Sequence, residues 1–397
     1  MRARNLRWAC WLAVVLALAP SASQAQEFSY APPPFNVHLP TGSTRPESGL
    51  YFNTAFALYM ESNPLKNQPI AVRGFKIFDD SLGVPPGTFI GSRTEALNVQ
   101  QLRDDRRWEP GFTFNVGYKF NDGSAMELNW LFLSNQTLTR GVTPIQRDDK
   151  PIRPDQADTF LFTDVFNLPL DYSGPPNKVT GASQFGVFGL FNGATYMIQS
   201  WRQRFQQWEL SFRSIVHDTE DSRITALVGP RYAWLWQKYQ LRSVNLTADG
   251  QGGGGPGDIG LYSAITSNRM YGVHAGLRCE GYWGRGFGWL AEGQGALFLD
   301  SVKERGKFET ADKYGGFPES KFARREWSIV PALDGSLGVN WFPADTIQVQ
   351  LKYQGMIFFN TQQTQRPFAR DYLMPRPNWQ STIFWAHGLQ AAIGLHF

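Results

Sequence analysis

The sequence predicts an all-β protein: a transmembrane antiparallel up-and-down β-barrel of about ten strands. Three observations predict it. Apolar and polar residues alternate over long stretches, short and long connections follow each other in turn, and a hydrophilic mean hydropathy of −0.33 accompanies a high aromatic content. A helical bundle in a membrane is excluded, because only the first twenty residues contain a long apolar run.

Composition narrows the class of protein further. The 397 residues include 30 Phe, 14 Trp and 14 Tyr, which supply ample apolar surface for burial and argue against disorder. Two Cys cannot build a disulfide scaffold. By length alone the chain could form one large domain or two to three ordinary ones.

Residues 1–25 have the pattern of a secretory signal peptide. Arg2, Arg4 and Arg7 precede an apolar segment over 8–19, and small residues at 23–25 mark a cleavage site. The apolar segment is too short to span a bilayer, which disfavours a membrane anchor. Cleavage removes the three Arg and lowers the net charge from +4 to about +1. The basic balance is therefore no evidence for nucleic-acid binding.

The mature chain is predicted to contain two parts. Residues 26–48 are rich in Pro and form an extended periplasmic lead-in, and residues 49–397 form the barrel. Cys10 is lost with the signal peptide, so Cys279 remains alone and no intramolecular disulfide can form.

Alternation with a period of two defines the strands. It is clearest over 347–359, where apolar residues such as Leu351 alternate with polar residues such as Lys352, and it recurs over 112–120 and at the C-terminus. The ten predicted strands cover 49–61, 108–120, 124–136, 201–217, 222–241, 268–283, 286–302, 325–342, 346–360 and 384–397.

The connections between these strands alternate in length without exception. The short ones have two to four residues and turn compositions, such as Asn121-Asp122-Gly123, and the long ones have more than twenty residues. Long irregular loops count against a compact soluble domain. They are typical of an outer-membrane barrel, with short periplasmic turns, long extracellular loops and an even number of strands.

Charged residues fall on the face opposite the apolar one, which predicts a polar lumen and a lipid-facing exterior. Arg202 and Arg204 are exceptions that lie near the loop end of their strand, where they can snorkel. The predicted lumen-facing residues are Lys119, Glu127, Glu209, Arg213, Arg231, His274, Arg278, Glu280, Glu292, Asp334, Gln350 and Lys352.

Aromatic residues cluster near the strand ends, which favours interfacial girdles over an ordinary aromatic β-core. On the turn side they are Tyr118, Phe120, Trp283, Phe287, Trp341, Phe342 and Phe397. On the loop side they are Trp201, Trp234, Trp236, Trp327, Phe358, Phe359, Phe384 and Trp385.

Several strings of residues resemble a bacterial family of outer-membrane β-barrel porins, the beta barrel porin-7 type. They lie over 68–75, 87–98, 227–231, 267–274, 284–287, 296–300 and 358–361. The resemblance implies a barrel in contact with outer-membrane lipid, inserted by the barrel-assembly machinery. A terminal Phe397 preceded by alternating apolar residues looks like the assembly signal of such proteins. The family is defined by fold, so the resemblance implies no particular substrate, and the sequence gives no oligomeric state.

A ten-stranded barrel is nearer to a side-chain-filled interior than to an open channel. The balanced lumen charges predict salt-bridged packing, with Glu209 facing Arg231, Arg278 facing Glu292 and Asp334 one diagonal step from Lys352. The functional expectation is porin-like passage of small solutes through a narrow or gated lumen. The alternative is a non-channel structural or adhesive surface barrel.

The loop over 137–200 holds apolar segments that cannot lie freely in water, such as Phe160-Leu161-Phe162. They could fold into the lumen as a plug or form an extra hairpin above the membrane. If they span the membrane, the barrel has twelve strands.

No catalytic, metal or cofactor site is predicted. The five His lack metal-ligand spacing, and one Cys cannot make a zinc site. Acid pairs at Asp79-Asp80, Asp104-Asp105 and Asp148-Asp149 could serve a barrel-embedded hydrolase, but the nearest His, His387, falls on the apolar face. We therefore expect no enzyme.

Overall fold

The alternating stretches form long strands that pair with their sequence neighbours. The computed structural model describes residues 48–76, 84–103, 108–142, 158–169, 190–219, 221–244, 259–310, 319–344 and 346–397. The predicted signal peptide and nearly all of the predicted lead-in lie outside these residues. Within the described residues, no helix is long and apolar enough to cross a membrane.

The described residues form seventeen strands and one short 3-10 helix, Val99–Leu102. The strands are β1 (Gly49–Glu61), β2 (Pro69–Arg73), β3 (Phe75–Lys76), β4 (Phe89–Ile90), β5 (Glu95–Asn98), β6 (Glu109–Lys119), β7 (Ala125–Leu133), β8 (Gln136–Val142), β9 (Leu161–Phe162), β10 (Asn192–Ala194), β11 (Tyr196–Asp218), β12 (Ser222–Val244), β13 (Ile259–Gly284), β14 (Phe287–Thr310), β15 (Ser320–Ala344), β16 (Ile347–Arg366) and β17 (Asn378–His396).

The long strands close into a ring. The order β12-β13-β14-β15-β16-β17-β1-β6-β7-β11 is completed by the pairing of β11 with β12, and every pair is antiparallel. Strands β7 and β8 pair with successive parts of the same strand, β11, and so occupy one position in the ring. Phe132 of β7 lies opposite Gln206 of β11, and Gln136 of β8 lies opposite Gln203 of β11. The ring therefore has ten strand positions, and the predicted all-β barrel is confirmed.

The twelve-stranded alternative is wrong. Strand β8 pairs directly with β11, so no hairpin from the intervening loop can enter the ring. The apolar segments of that loop instead contribute β9 and β10 to a separate four-stranded sheet with β2 and β5.

Short turns join the strands at one end of the barrel, which we call the turn end; the opposite end is the loop end. In the β6–β7 turn, Gly123 has a φ of 79° and its amide donates to the Phe120 carbonyl at 2.9 Å. Only glycine adopts this left-handed conformation without strain. The Ser124 hydroxyl and amide donate to Asp122, and these hydrogen bonds lower the pKa of that carboxyl.

The strands are longer at the loop end than the alternation predicts. Strand β13 begins at Ile259, where 268 was expected, and β14 runs to Thr310, where 302 was expected. The outer face of the β14 extension is polar and includes Lys303 and Arg305, whereas Tyr262 and Phe308 on the inner face of the two extensions are buried. Apolar residues no longer mark only the outer face there, so the alternation that identifies a lipid-facing strand is lost.

Apolar and charged side chains lie on opposite faces of the ring, as the charge pattern predicts. Large apolar side chains of the outer face are exposed, including Phe56, Val273, Leu297, Leu333, Leu337 and Ile393. Phe342, Trp201, Phe358 and Phe384, expected in the girdles, are buried inside the barrel. Phe358 and Phe359 are adjacent, so a strand necessarily places them on opposite faces.

Candidate functional site: the barrel interior

A polar cavity of about 160 Å³ occupies the turn end of the barrel. Gly49, Gly123 and Phe397 mark its position, because they lie at the ends of the strands beside the short turns. Nine of the predicted lumen-facing residues line it: Lys119, Glu127, Glu209, Arg213, Arg278, Glu280, Glu292, Gln350 and Lys352. The cavity is thus walled by charges of both signs.

A chain of alternating charges runs through this cavity. Arg213 Nη1 lies 3.0 Å from Glu127 Oε2, and its Nη2 lies 3.7 Å from Glu292 Oε2. Arg278 continues the chain, with Nη1 3.9 Å from Glu292 Oε2 and Nη2 2.7 Å from Glu280 Oε1. Each arginine bridges two carboxylates, and Lys119 and Lys352 add positive charge to the same wall. Among the nine predicted residues that line the cavity, four bases stand against four acids.

A second ionic group lies deeper and is buried. The Arg231 guanidinium contacts Asp334 through Nη2, and its Nε lies 3.8 Å from Glu209 Oε2. His274 Nε2 lies 3.2 Å from Glu209 Oε1 and 3.0 Å from Ser211 Oγ. These side chains close the inner end of the cavity. Removing one partner would leave the others as uncompensated charges.

The expected contact between Asp334 and Lys352 is wrong. A register shift between Trp341 and Ala344 places Asp334 opposite Met356, and Lys352 opposite Gly338. Asp334 instead pairs with Arg231 and accepts a hydrogen bond of 3.4 Å from Gln354 Nε2. The other two predicted pairs lie directly opposite each other, Glu209 with Arg231 and Arg278 with Glu292.

An apolar layer fills the barrel above the buried ions. Phe205 is central to it, with ring centroids 5.6 Å from Phe358 and 5.3 Å from Phe384, and Phe298 lies 5.9 Å from Phe358. These four side chains are at most 1% exposed. The layer as a whole contains Ala57, Tyr59, Leu131, Leu133, Phe205, Ala233, Leu235, Met270, Phe298, Val330, Ala332, Met356, Phe358, Phe384 and Ala386.

Polar side chains resume on the loop side of the apolar layer. Gln203 Nε2 donates to Glu61 Oε2 at 2.7 Å, and Gln237 Nε2 donates to Gln203 Oε1 at 2.8 Å and to Gln363 Oε1 at 3.2 Å. All four side chains are buried. The interior thus alternates between polar and apolar layers along the barrel axis.

A plug closes the loop end. Leu161 of β9 and Phe191, just before β10, belong to one apolar cluster with the inward side chains of Trp201, Tyr262 and Phe308. The Phe191 and Phe308 ring centroids are 5.7 Å apart. The described parts of the 137–200 loop that lie between β8 and β11, residues 158–169 and 190–195, therefore contribute to a plug, while 137–142 and 196–200 belong to the barrel wall.

The first long loop contributes equally to the plug, which the sequence analysis did not foresee. Gln199 Nε2 on the barrel wall donates to the Asn98 carbonyl at 2.7 Å. Gln68 Nε2 donates to the Phe368 carbonyl at 2.7 Å and so joins the plug to the last long loop. The apolar residues of this loop, such as Ile70, Leu97 and Leu102, are the signal that could have indicated it.

The sequence analysis also missed the apolar layer, although its signal was present. Phe205 lies two residues from Gln203 and Gln207 and four from Glu209, which puts it on the polar face. The position of an aromatic residue along a strand does not by itself place it in a girdle. Its face decides whether it points to the exterior or the lumen.

Of the residues considered for an enzyme, the structure describes only His387. The acid pairs at 79–80, 104–105 and 148–149 lie outside the described residues. His387 lies on the outer face, where its ring stacks on Trp385 and its Nδ1 lies 2.7 Å from the Tyr353 hydroxyl. The described residues contain no group of three His, Cys, Asp or Glu side chains that could hold a metal ion.

A family model described as the Legionella pneumophila major outer membrane protein precursor matches residues 49–376. The chain belongs to this family. Its members are bacterial outer-membrane β-barrel proteins, which places this family member in the outer membrane with its apolar outer face in lipid. No curated protein matches the chain significantly.

Several solved structures are similar to this family member at very low identity. The outer membrane protease OmpT from Escherichia coli is 7% identical and covers 88% of this chain and 97% of its own, with a TM-score of 0.40. The toluene transporter TodX from P. putida is 8% identical, with 88% and 90% covered and a TM-score of 0.23. A Pseudomonas aeruginosa FadL homologue is 10% identical, with 87% and 90% covered and a TM-score of 0.22.

Proposed function

We propose that this family member is a porin-like barrel that passes small solutes through a narrow, gated and charge-balanced lumen. The main support for this proposal is the layering of the interior, in which polar groups lie on both sides of one apolar layer. Hydrophobic constrictions gate channels by excluding water. Phe205, Phe358 and Phe384 have the position of such a constriction, and the structure then represents its closed state.

The balance between positive and negative side chains in the cavity supports the passage of small solutes that are cationic, anionic or neutral. Four bases, Lys119, Arg213, Arg278 and Lys352, and four acids, Glu127, Glu209, Glu280 and Glu292, line the cavity among the predicted residues. A ring of one sign would select ions by charge.

Single-channel recording in planar bilayers tests this proposal. We expect rare, brief openings from the unmodified protein and frequent discrete steps from the double variant Phe205→Ser, Phe384→Ser, because two hydroxyls would let water cross the apolar layer. The control is Phe212→Ser, which changes an exposed lipid-facing ring and leaves the gate intact. Retained mobility in unheated gel samples shows that each barrel has folded.

Absence of conductance steps from the unmodified protein, from the folded double variant and from that variant after deletion of the plug-forming loop between β8 and β11 would refute the channel. That outcome would favour the second candidate, a structural or adhesive surface barrel, which the continuous filling of the interior by side chains and plug supports. Deletion of the exposed loops would then be expected to reduce adhesion without changing barrel stability.

We assign no enzymatic role to the chain, since His387 points to lipid in the described structure.

For biogenesis we propose recognition of the C-terminus by the barrel-assembly machinery. Phe397 is 65% exposed, while its amide donates to the Leu50 carbonyl at 2.9 Å and so seals the junction of the last and first strands.

A further inference from the structure

Four cationic side chains form a cluster on the outer face of the barrel near the loop end. They are Arg269 of β13, Lys303 and Arg305 of β14, and Arg325 of β15. We call this cluster the outer basic patch. Three of the four side chains are exposed, and Lys303 between them is partly so.

Strand pairing brings these cations close to one another. Lys303 lies directly opposite Arg325, and Arg269 lies opposite Ser301, which precedes Lys303 by two residues on the same face. Like charges directly opposite on one face of an antiparallel pair are destabilising. The arrangement therefore needs a source of negative charge.

The protein does not supply that charge within its described residues. None of the four cations forms an ion pair with a carboxylate there. Arg325 donates from Nε and Nη2 to Ser301 Oγ at 3.2 and 3.1 Å, and its guanidinium lies 5.6 Å from the Trp327 ring. The next carboxylate on the outer face of β14, Glu309, contacts Lys307.

The position of the patch along the barrel axis indicates which part of the membrane surrounds it. Tyr271, Leu299 and Ile329 are exposed apolar side chains just below the patch, on the side of the turn end. Fourteen residues of β13 separate Arg269 from Trp283 at the turn end, which is roughly 35 Å along the barrel axis for a strand tilted by about 40°. The apolar band of such barrels is about 25 Å tall. The patch thus stands at the headgroups of the outer leaflet.

We propose that the outer basic patch binds a lipid of the outer leaflet whose headgroup carries phosphate. Guanidinium groups bind phosphate oxygens in a bidentate way, and Lys303 adds a point charge between them. The Ser267 and Ser301 hydroxyls lie opposite Lys303 and Arg269, respectively, on the same outer face. The acyl chains of the lipid would lie along Leu299 and Ile329. This inference rests on the outer-membrane location and does not depend on the channel.

Native mass spectrometry of the full chain in a neutral detergent tests the proposal. The probes are bisphosphorylated lipid A and the same lipid without its phosphates. We expect the phosphorylated form to bind at least about tenfold more tightly, since charge-assisted hydrogen bonds distinguish the two. The double variant Lys303→Gln, Arg325→Gln should lose this preference.

The matched control is the double variant Arg140→Gln, Arg366→Gln. It removes the same charge from exposed bases on β8 and β16, outside the patch, and should keep the tenfold preference. Arg305→Gln, a single change at the edge of the patch, provides a milder variant if the double one fails to fold, and should weaken binding about threefold.

Three results would overturn the proposal. One is equal binding of the two lipid forms to the unmodified protein, and another is an undiminished preference in the folded patch variants. The third is full displacement of lipid A by millimolar inorganic phosphate, which would identify a site for a free anion.

Discussion

Replacing Arg231 by Met is expected to lower the free energy of unfolding by about 3–5 kcal/mol, because it leaves two buried carboxylates without a cation. Arg231 contacts Asp334 and lies 3.8 Å from Glu209, and all three side chains are buried. Denaturant titration of the barrel in lipid vesicles, followed by Trp fluorescence, measures the loss.

Lys352→Met provides the matched control. Lys352 lines the water-accessible cavity, so its charge is screened and we expect a loss of at most about 1 kcal/mol. Adding Glu209→Gln and Asp334→Asn to the Arg231 variant removes the isolated charges and should recover most of the loss. An Arg231 variant no less stable than the Lys352 variant would contradict the buried ionic group.

Replacing Phe384 by Ala should cost about 3–5 kcal/mol, because it opens a cavity in the apolar layer as well as losing buried surface. The ring is fully buried, with centroids 5.3 Å from Phe205 and 5.9 Å from Phe358. The same denaturant titration measures this loss.

Phe212→Ala is the comparison, since Phe212 is 50% exposed on the outer face. Lipid chains fill the space that its ring vacates, so no cavity forms. Only the free energy of transferring the ring out of water, roughly 1.5–3 kcal/mol, is lost. The Phe384 variant should therefore be the less stable of the two, by about 2 kcal/mol at the midpoints of these ranges. Equal losses would mean that lipid or water reaches Phe384 and that the apolar layer is not closed.

The fold was predictable because a membrane imposes a strict period on each strand. Leu351 and Lys352 differ by one position and lie on opposite faces, which the alternation alone indicates. Partners across strands were harder to predict. A turn over 343–345 would place Asp334 opposite Gln354, whereas the observed turn and the register shift beside it place it opposite Met356, two residues further from Lys352. A displacement by two leaves both side chains facing the lumen, so the face was predicted correctly and the contact was not.

The closure of the interior could not be predicted from single strands. The ring of Phe205 meets those of Phe358 and Phe384 only when strands far apart in sequence curve around one axis. The plug depends likewise on contacts between three loops, such as the hydrogen bond from Gln68 to the Phe368 carbonyl. Each loop taken alone showed apolar residues without a partner. The partners are set by the barrel, which brings its loops to one end.

The length of the strands determines how far this protein reaches from the cell. Strand β13 has 26 residues, which correspond to roughly 65 Å along the axis of a barrel whose strands tilt by about 40°. Lipid needs only about 25 Å of that height. The ten positions of β13 from Arg269 to Ile259 lie beyond the headgroups, so a collar of paired strands rises roughly 25 Å above the bilayer. Anything approaching the bacterium meets the collar and its loops before it meets the lipid.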